Sequence, residues 1–169
     1  MKQEYIITVY SENHIGMLSR ITLVFTRRKI NIDSLTVSES AIEGIYKFTI
    51  VIKSTPDLII KVVGQIEKQI DVLKAFYHTN DEMIYQEIAL YKVATESLYE
   101  NDTIEKIVRK AGARILEITR EYTVIEKTGH KSETQELFFE LNKFKVMQFI
   151  RSGRIKLINL LSSKVLEFK

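Results

Sequence analysis

The apolar residues of this chain change their period in the same order twice, and that order constrains the fold more tightly than any single motif. From Tyr5 to Tyr10 the residues are β-branched and aromatic, a strand pattern that stops at the polar loop Ser11-Glu12-Asn13-His14. After Gly16 the period becomes helical: Met17, Leu18, Ile21, Val24 and Phe25 fall on one stripe that closes on Thr26-Arg27-Arg28-Lys29. Two strands follow, Ile32 to Glu39 and Ile45 to Lys53, around a turn at Glu43-Gly44. In the second of them Tyr46, Phe48, Ile50 and Ile52 share a face. Thr55-Pro56-Asp57 opens another helix with proline at its first position, and Leu58, Ile59, Val62, Val63, Ile66 and Ile70 form its stripe. Val72 to Tyr77 closes the unit as a strand.

Thr79-Asn80-Asp81-Glu82 is a short polar connection, and beyond it the order begins again. Tyr85 to Ala94 is a strand. A helix follows with Ile104, Ile107, Val108 and Ala111 on one face and Gly112 where a C-terminal cap belongs. Arg114 to Thr119 and Tyr122 to Glu126 are strands, Ser132-Glu133-Thr134-Gln135 reads as a capping box, and Leu137, Phe138 and Leu141 point inward from the helix it opens. Val146 to Arg151 and Arg154 to Leu160 complete the pattern. The expected fold is α+β: two ferredoxin-like βαββαβ units, antiparallel sheets with helices on one face, each of about 80 residues and able to bury its own core. The expected division is a first domain over residues 1–79, a linker at 80–82 and a second domain over 83–169.

Composition excludes several function classes. The 169 residues carry 25 Lys plus Arg against 22 Asp plus Glu, divided 10 to 8 up to Asn80 and 15 to 14 beyond it, so neither half is a basic arm for nucleic acid or an anionic membrane. Without cysteine there is no disulfide framework, thiolate metal site or cysteine nucleophile. Met1-Lys2-Gln3-Glu4-Tyr5 runs directly into strand residues, and no apolar run approaches the roughly 18 residues that span a bilayer, so a soluble, cytoplasmic chain is expected. His14, His78 and His130 lie far apart with no metal-ligand spacing and are expected to be surface or structural residues. The Gly-x-Ser-x-Gly, P-loop and Gly-x-Gly-x-x-Gly patterns are absent, and nothing argues for an enzyme.

The stretch Ser11-Glu12-Asn13-His14-Ile15-Gly16-Met17-Leu18-Ser19-Arg20 joins a strand to a helix start. The first amides of a helix lack intrahelical partners and carry partial positive charge, so a carboxylate is held there with no basic side chain. Gly16 lets a ligand approach the backbone, Asn13 offers its amide oxygen to an ammonium group, and Ile15 and Leu18 supply an apolar wall of limited size. Those are the parts for a free amino acid with a small branched side chain. Asn13 and Gly16 equally serve a bare turn and helix start, and local features leave both readings open.

The wider motif is more specific. Glu12-Asn13-x-x-Gly16-x-Leu18-Ser19-Arg20, then Phe25-x-Arg27-Arg28, then Asn31-Ile32-Asp33-Ser34-Leu35-Thr36-Val37 closely resembles the N-terminal ACT domain of the regulatory (small) subunit of acetolactate synthase, also called acetohydroxyacid synthase. Glu87-Ile88-Ala89-Leu90-Tyr91-Lys92-Val93, Tyr122-Thr123-Val124-Ile125-Glu126 with Thr128-Gly129, and Arg151-Ser152-Gly153 look like the C-terminal domain of that family, so the resemblance spans nearly the whole chain. It implies a non-catalytic partner of a thiamine-diphosphate enzyme of valine, leucine and isoleucine synthesis. Such a partner raises the catalytic subunit's activity and confers feedback inhibition, usually by valine; thiamine diphosphate, Mg2+ and FAD are expected on the catalytic subunit and no cofactor in this chain. The resemblance further implies a homodimer through the ACT domains with the amino acid at their interface. Carried over by motif position, Asn13, His14, Ile15, Gly16, Met17 and Leu18 of one copy grip the ligand, and Asn31 and Ile32 of the other complete the pocket. The chain departs from the family at Tyr46-Lys47 and Asn159-Leu160, where Ser-Arg and Arg-Gly are common, and fills the variable loop pair with His14-Ile15.

Three other readings are weaker. A stand-alone amino-acid sensor governing another enzyme or transcription shares the module, but the chain offers no helix-turn-helix candidate or basic stripe. RNA binding on the same topology needs aromatics on the open sheet face, whereas Tyr46 and Phe48 alternate with Lys47 and Thr49 as core residues do. The acetolactate-forming enzyme itself would need a longer chain and a Gly-Asp-Gly element.

Overall fold

The computed structural model describes residues 2–99 and 103–158. The elements of the first unit are β1 (Gln3–Glu12), α1 (Met17–Arg27), β2 (Ile32–Glu39), β3 (Ile45–Ser54), α2 (Pro56–Glu67) and β4 (Val72–His78). Its sheet has the order β2-β3-β1-β4 with every neighbouring pair antiparallel. Alternation puts Tyr5, Ile7 and Val9 of β1 opposite Ile52, Ile50 and Phe48 of β3, and these rows form one side of the core. The helices cover that face with the stripes read from their spacing: Met17, Ile21, Val24 and Phe25 from α1, and Ile59, Val62, Val63 and Ile66 from α2. Two Arg28 nitrogens donate to Gln65 Oε1 at 3.0 and 2.8 Å and tie the end of α1 to α2.

Local chemistry sets the ends of these helices. Helix α1 stops where Lys29 turns left-handed at φ 54°, with Lys29 N–H bonded to Thr26 C=O and Ile30 N–H to Phe25 C=O, a paired-carbonyl ending that glycine usually makes. Helix α2 ends at Glu67, so Ile70, expected on its inward stripe, lies beyond it and is 76% exposed. The polar connection at 80–82 is one turn of 3-10 helix in which Thr79 N–H donates to Glu82 Oε2 and Asn80 Nδ2 to Glu4 Oε1, both at 2.8 Å.

After the polar turn come β5 (Met83–Ala94), α3 (Glu96–Tyr99), α4 (Thr103–Lys110), β6 (Arg114–Ile118), β7 (Tyr122–Gly129), α5 (Lys131–Asn142) and β8 (Val146–Arg151), which build the second unit, and then a last strand, β9 (Ile155–Ile158). The sheet of the second unit runs β6-β7-β5-β8, with β9 also pairing β5. Ala89, Tyr91, Val93 and Ile125 meet Ile104, Val108, Leu137 and Leu141 from the helices. Compact packing divides the chain between Ile84 and Tyr85, with Lys156 to Ile158 grouping with the first unit, so the division is not one cut after the polar turn. Asn159 and Leu160 lie outside the described residues. Both units are ferredoxin-like, with helices on one face of an antiparallel sheet.

Two details of the second unit differ from the sequence reading. Helix α3 was not expected. The N-cap of α5 lies two residues before the expected one: it is His130, with Glu133 Oε2 accepting from His130 N–H at 2.6 Å. Gly112 takes φ 61° and ends α4 as anticipated, its N–H bonding Arg109 C=O while Ala113 N–H bonds Val108 C=O.

Tyr91 is wholly buried and donates to Thr134 C=O at 2.6 Å, and burial pushes its phenol up to about 12 against an opposing pull from Arg151. Unfolded tyrosine ionises near 10, so the folded state holds this proton longer and stability falls as pH rises from 10 towards 12. Urea denaturation of wild type and Tyr91→Phe is expected to show a cost of about 1 kcal/mol at pH 7. The gap between the two proteins is expected to narrow above pH 10, because the variant has no phenol to ionise.

Candidate functional site

Backbone hydrogen bonds turn the loop between β1 and α1. His14 N–H bonds Glu12 C=O and Met17 N–H bonds His14 C=O, both at 3.1 Å, and Arg20 N–H bonds Gly16 C=O at 2.9 Å. Gly16 sits at the N-cap with φ 85°, and a Cβ built there meets nothing within 4 Å. Glycine is therefore favoured by the backbone angle, and the space beside it is open. No side chain caps α1 and no acidic residue lies in its first turn. Met17 and Arg20 spend their amides on the turn, which leaves Leu18 and Ser19 with first-turn donors that have no carbonyl one turn back. Helix α1 thus presents the positive end of its dipole without an anion of its own.

The residues expected to grip a ligand divide by what they expose. Asn13, His14, Ile15 and Gly16 are exposed, Leu18 is half-exposed, and Ile15 stands free of the surface. Met17 is 3% exposed with its side chain in the core, so only its backbone faces the loop. Asn31 is exposed and its amide nitrogen donates to Asp33 Oδ1 at 3.4 Å, while Ile32 packs against the core of its own unit. Register separates the two groups. Ile32 is opposite Ile52, which is opposite Tyr5 at the start of β1, whereas the loop follows Glu12, opposite Ile45 at the far end. Helix α1 lies between them, 11 residues or about 16 Å long, so one chain does not bring Asn13 and Asn31 together.

A charged cluster not found in the sequence braces the loop. Asp71, left-handed at φ 71° before β4, accepts from Arg20 Nη2 at 2.7 Å and lies 3.3 Å from His14 Nδ1. His14 Nε2 is 3.7 Å from Glu12 Oε2. The Arg20 hydrogen bond, opposed by partial desolvation and aided by His14, holds the Asp71 carboxyl below its ordinary value. Glu12, His14 and Asp71 offer ligand atoms within 4.8 Å of one another, a metal-like grouping, but the Arg20 guanidinium already occupies and neutralises the Asp71 oxygen that faces them. The signal was obscured by distance: Arg20 and Asp71 are 51 positions apart. The other histidines have structural roles, His130 capping α5 edge-on to Tyr85, and His78 beside Phe76 with Glu82 3.6 Å away.

Both units match known families in the places the motifs suggested. Residues 7–74 match the AHAS small subunit-like ACT domain, and residues 86–159 match the small subunit of acetolactate synthase. The acetolactate synthase small subunit of Bacillus subtilis is 31% identical over 149 residues, 88% of this chain and 86% of that one. The protein of the same description from Aquifex aeolicus is 28% identical over 162 residues, covering 96% and 84%. The crystal structure of the acetolactate synthase small subunit from Thermotoga maritima superposes with a TM-score of 0.84 at 25% identity, covering 93% of this chain and 98% of that one. With an ACT loop that leaves its helix terminus uncapped and a second unit of the matching kind, this chain belongs to the acetolactate synthase small subunit family.

Proposed function

We propose that this protein activates a catalytic subunit of acetolactate synthase and makes it sensitive to L-valine or another branched-chain amino acid bound between two copies of the first unit. The observation that carries the reading is the placement of the two motif halves at opposite ends of α1. A two-fold axis that sets two copies side by side, helices antiparallel, brings the loop of one to Asn31 of the other, and a two-fold pair makes two such pockets. In each, the Leu18 and Ser19 amides receive the carboxylate, Asn13 and the partner copy's Asn31 receive the ammonium group, and Ile15 and Leu18 meet the branched side chain. Gly16 and Met17 act through backbone, as does Ile32, whose side chain is committed to its own core. The catalytic partner carries the thiamine diphosphate, Mg2+ and FAD. Because the pocket bridges two copies, the ligand favours one packing of the pair over another, which is what feedback through a separate subunit requires.

Thermal unfolding of the purified chain with L-valine, L-leucine, L-isoleucine, D-valine and L-lysine tests the binding, since a ligand held only by the folded state raises the midpoint. A rise confined to branched L-acids is expected. Asn13→Ala and Asn31→Ala are each expected to abolish that rise and the inhibition by valine while leaving activation of the catalytic subunit intact. Mixing the two variants after unfolding is expected to restore binding in about one quarter of sites, because half the pairs are mixed and each holds one unaltered pocket. No recovery on mixing counts against a shared pocket.

Gly16→Ala and Gly16→Asp separate backbone from charge. Either side chain at φ 85° costs about 1 kcal/mol of stability, read by urea denaturation, with no clash to add. Valine sensitivity is expected to survive in the alanine variant and vanish in the aspartate variant, whose carboxylate takes the helix-terminal amides.

A further inference from the structure

We propose that Asp71 is the positioning residue of the 13–18 loop, holding it in its ligand-ready shape through Arg20 and His14 without touching the ligand. The part of this inference that concerns affinity rests on the binding reading above; the part that concerns loop shape does not.

Asp71 meets three elements at once. Its carbonyl accepts from Glu12 N–H at 3.0 Å and so extends contact beyond the last β1–β4 pair, Ser11 with Val72. Its Oδ2 accepts from Arg20 on the first turns of α1, and the same oxygen lies beside His14 in the loop. The β1–β4 register shifts between Tyr10 and Ser11, and this irregularity comes just before the chain leaves the sheet. A left-handed aspartate is strained unless its surroundings fix it, and here three contacts do so. Asp71 is also four-fifths shielded, so its bond to Arg20 is less screened than an open surface pair.

The pairing decides what Arg20 does. A guanidinium on the first turns of α1 would otherwise be a strong carboxylate ligand close to the helix terminus. Bound to Asp71, it is spent on the loop, and recognition falls to amides whose direction depends on the Gly16 turn. His14 adds the lateral restraint, with one ring nitrogen towards Asp71 and the other towards Glu12.

The test uses the full chain as wild type, Asp71→Asn, Arg20→Gln and the double variant. Hydrogen exchange without ligand reads the loop directly: the His14 and Met17 amides are expected to exchange at least about tenfold faster in each variant, while Ile7 and Ile50 in the core keep their wild-type rates. Unchanged loop exchange overturns the proposal, and core exchange that rises equally shows a merely structural role and overturns it too. In parallel, calorimetric titration with L-valine is expected to show about tenfold weaker binding for each single variant and no further loss in the double, since the pair acts as one unit. Additive losses, or tighter binding once Arg20 is released, overturn it. A wild type that binds no valine while its loop exchange still depends on Asp71 would refute the effector reading and leave the positioning role standing.

Discussion

Everything at the loop depends on how α1 is seated. Met17 and Ile21 at one end of the helix and Val24 and Phe25 at the other are buried against the sheet, so α1 can neither slide nor roll without exposing apolar surface. The Gly16 turn and the Asn31 entry to β2 are therefore held a helix length apart. A site that needs both, as the proposed function does, cannot close within one chain, and that separation follows from core packing. The strand edge agrees with this: β2 is at the margin of its sheet, where backbone groups are available to a neighbour.

The charge pattern of the loop follows a consistent logic. An amino acid carries both charges, and a receptor that met its carboxylate with a fixed cation would bind many anions equally well. Here the nearby cation is neutralised by Asp71, and α1 offers amides with no acidic residue in its first turn. Amides are directional, and the direction of these is set by a turn that rests on a glycine at positive φ and on the contacts of Asp71. In the proposed function, selectivity for a free amino acid therefore rests on backbone geometry and not on side-chain charge.

The strands and helices of the first unit could be read from periodicity because each buries one face, and burial imposes the period. Where the reading slipped, a local rule was misleading. Ile70 continued the helical spacing of α2 past its real end, because an isoleucine at the right interval looks the same whether or not the chain is still helical. Lys29 and Asp71 are left-handed without being glycine, so neither announced a turn. Ser132 resembled an N-cap, but the glutamate at 133 caps His130, a residue that the usual preference order does not suggest. Met17 falls on the apolar stripe of α1 in the sequence, and its side chain is in the core as that stripe predicts, so only its backbone faces the loop. Asp71 and its bond to Arg20 were out of reach because they are created by tertiary folding across 51 positions.

The second unit repeats the topology without a glycine turn after its first strand, and the polar groups at that corner differ accordingly. Where the first unit leaves its first strand through an open glycine turn, β5 passes into Thr95, whose hydroxyl donates to Thr119 C=O and bonds Thr123 Oγ1, both at 3.0 Å. Thr95 and Thr123 are buried, so that corner is closed by its own side chains. Other polar groups of this unit are likewise satisfied inward: Tyr91 bonds Thr134, and the buried Glu87 receives Arg151 and Arg154, each at 3.2 Å. Breaking such a buried pair leaves a charge without a partner, so these contacts fix the shape of the unit. The same order of strands and helices thus supports an exposed, backbone-directed loop in one unit and a closed corner in the other, because the fold supplies positions while the polar groups at each corner decide whether those positions are open.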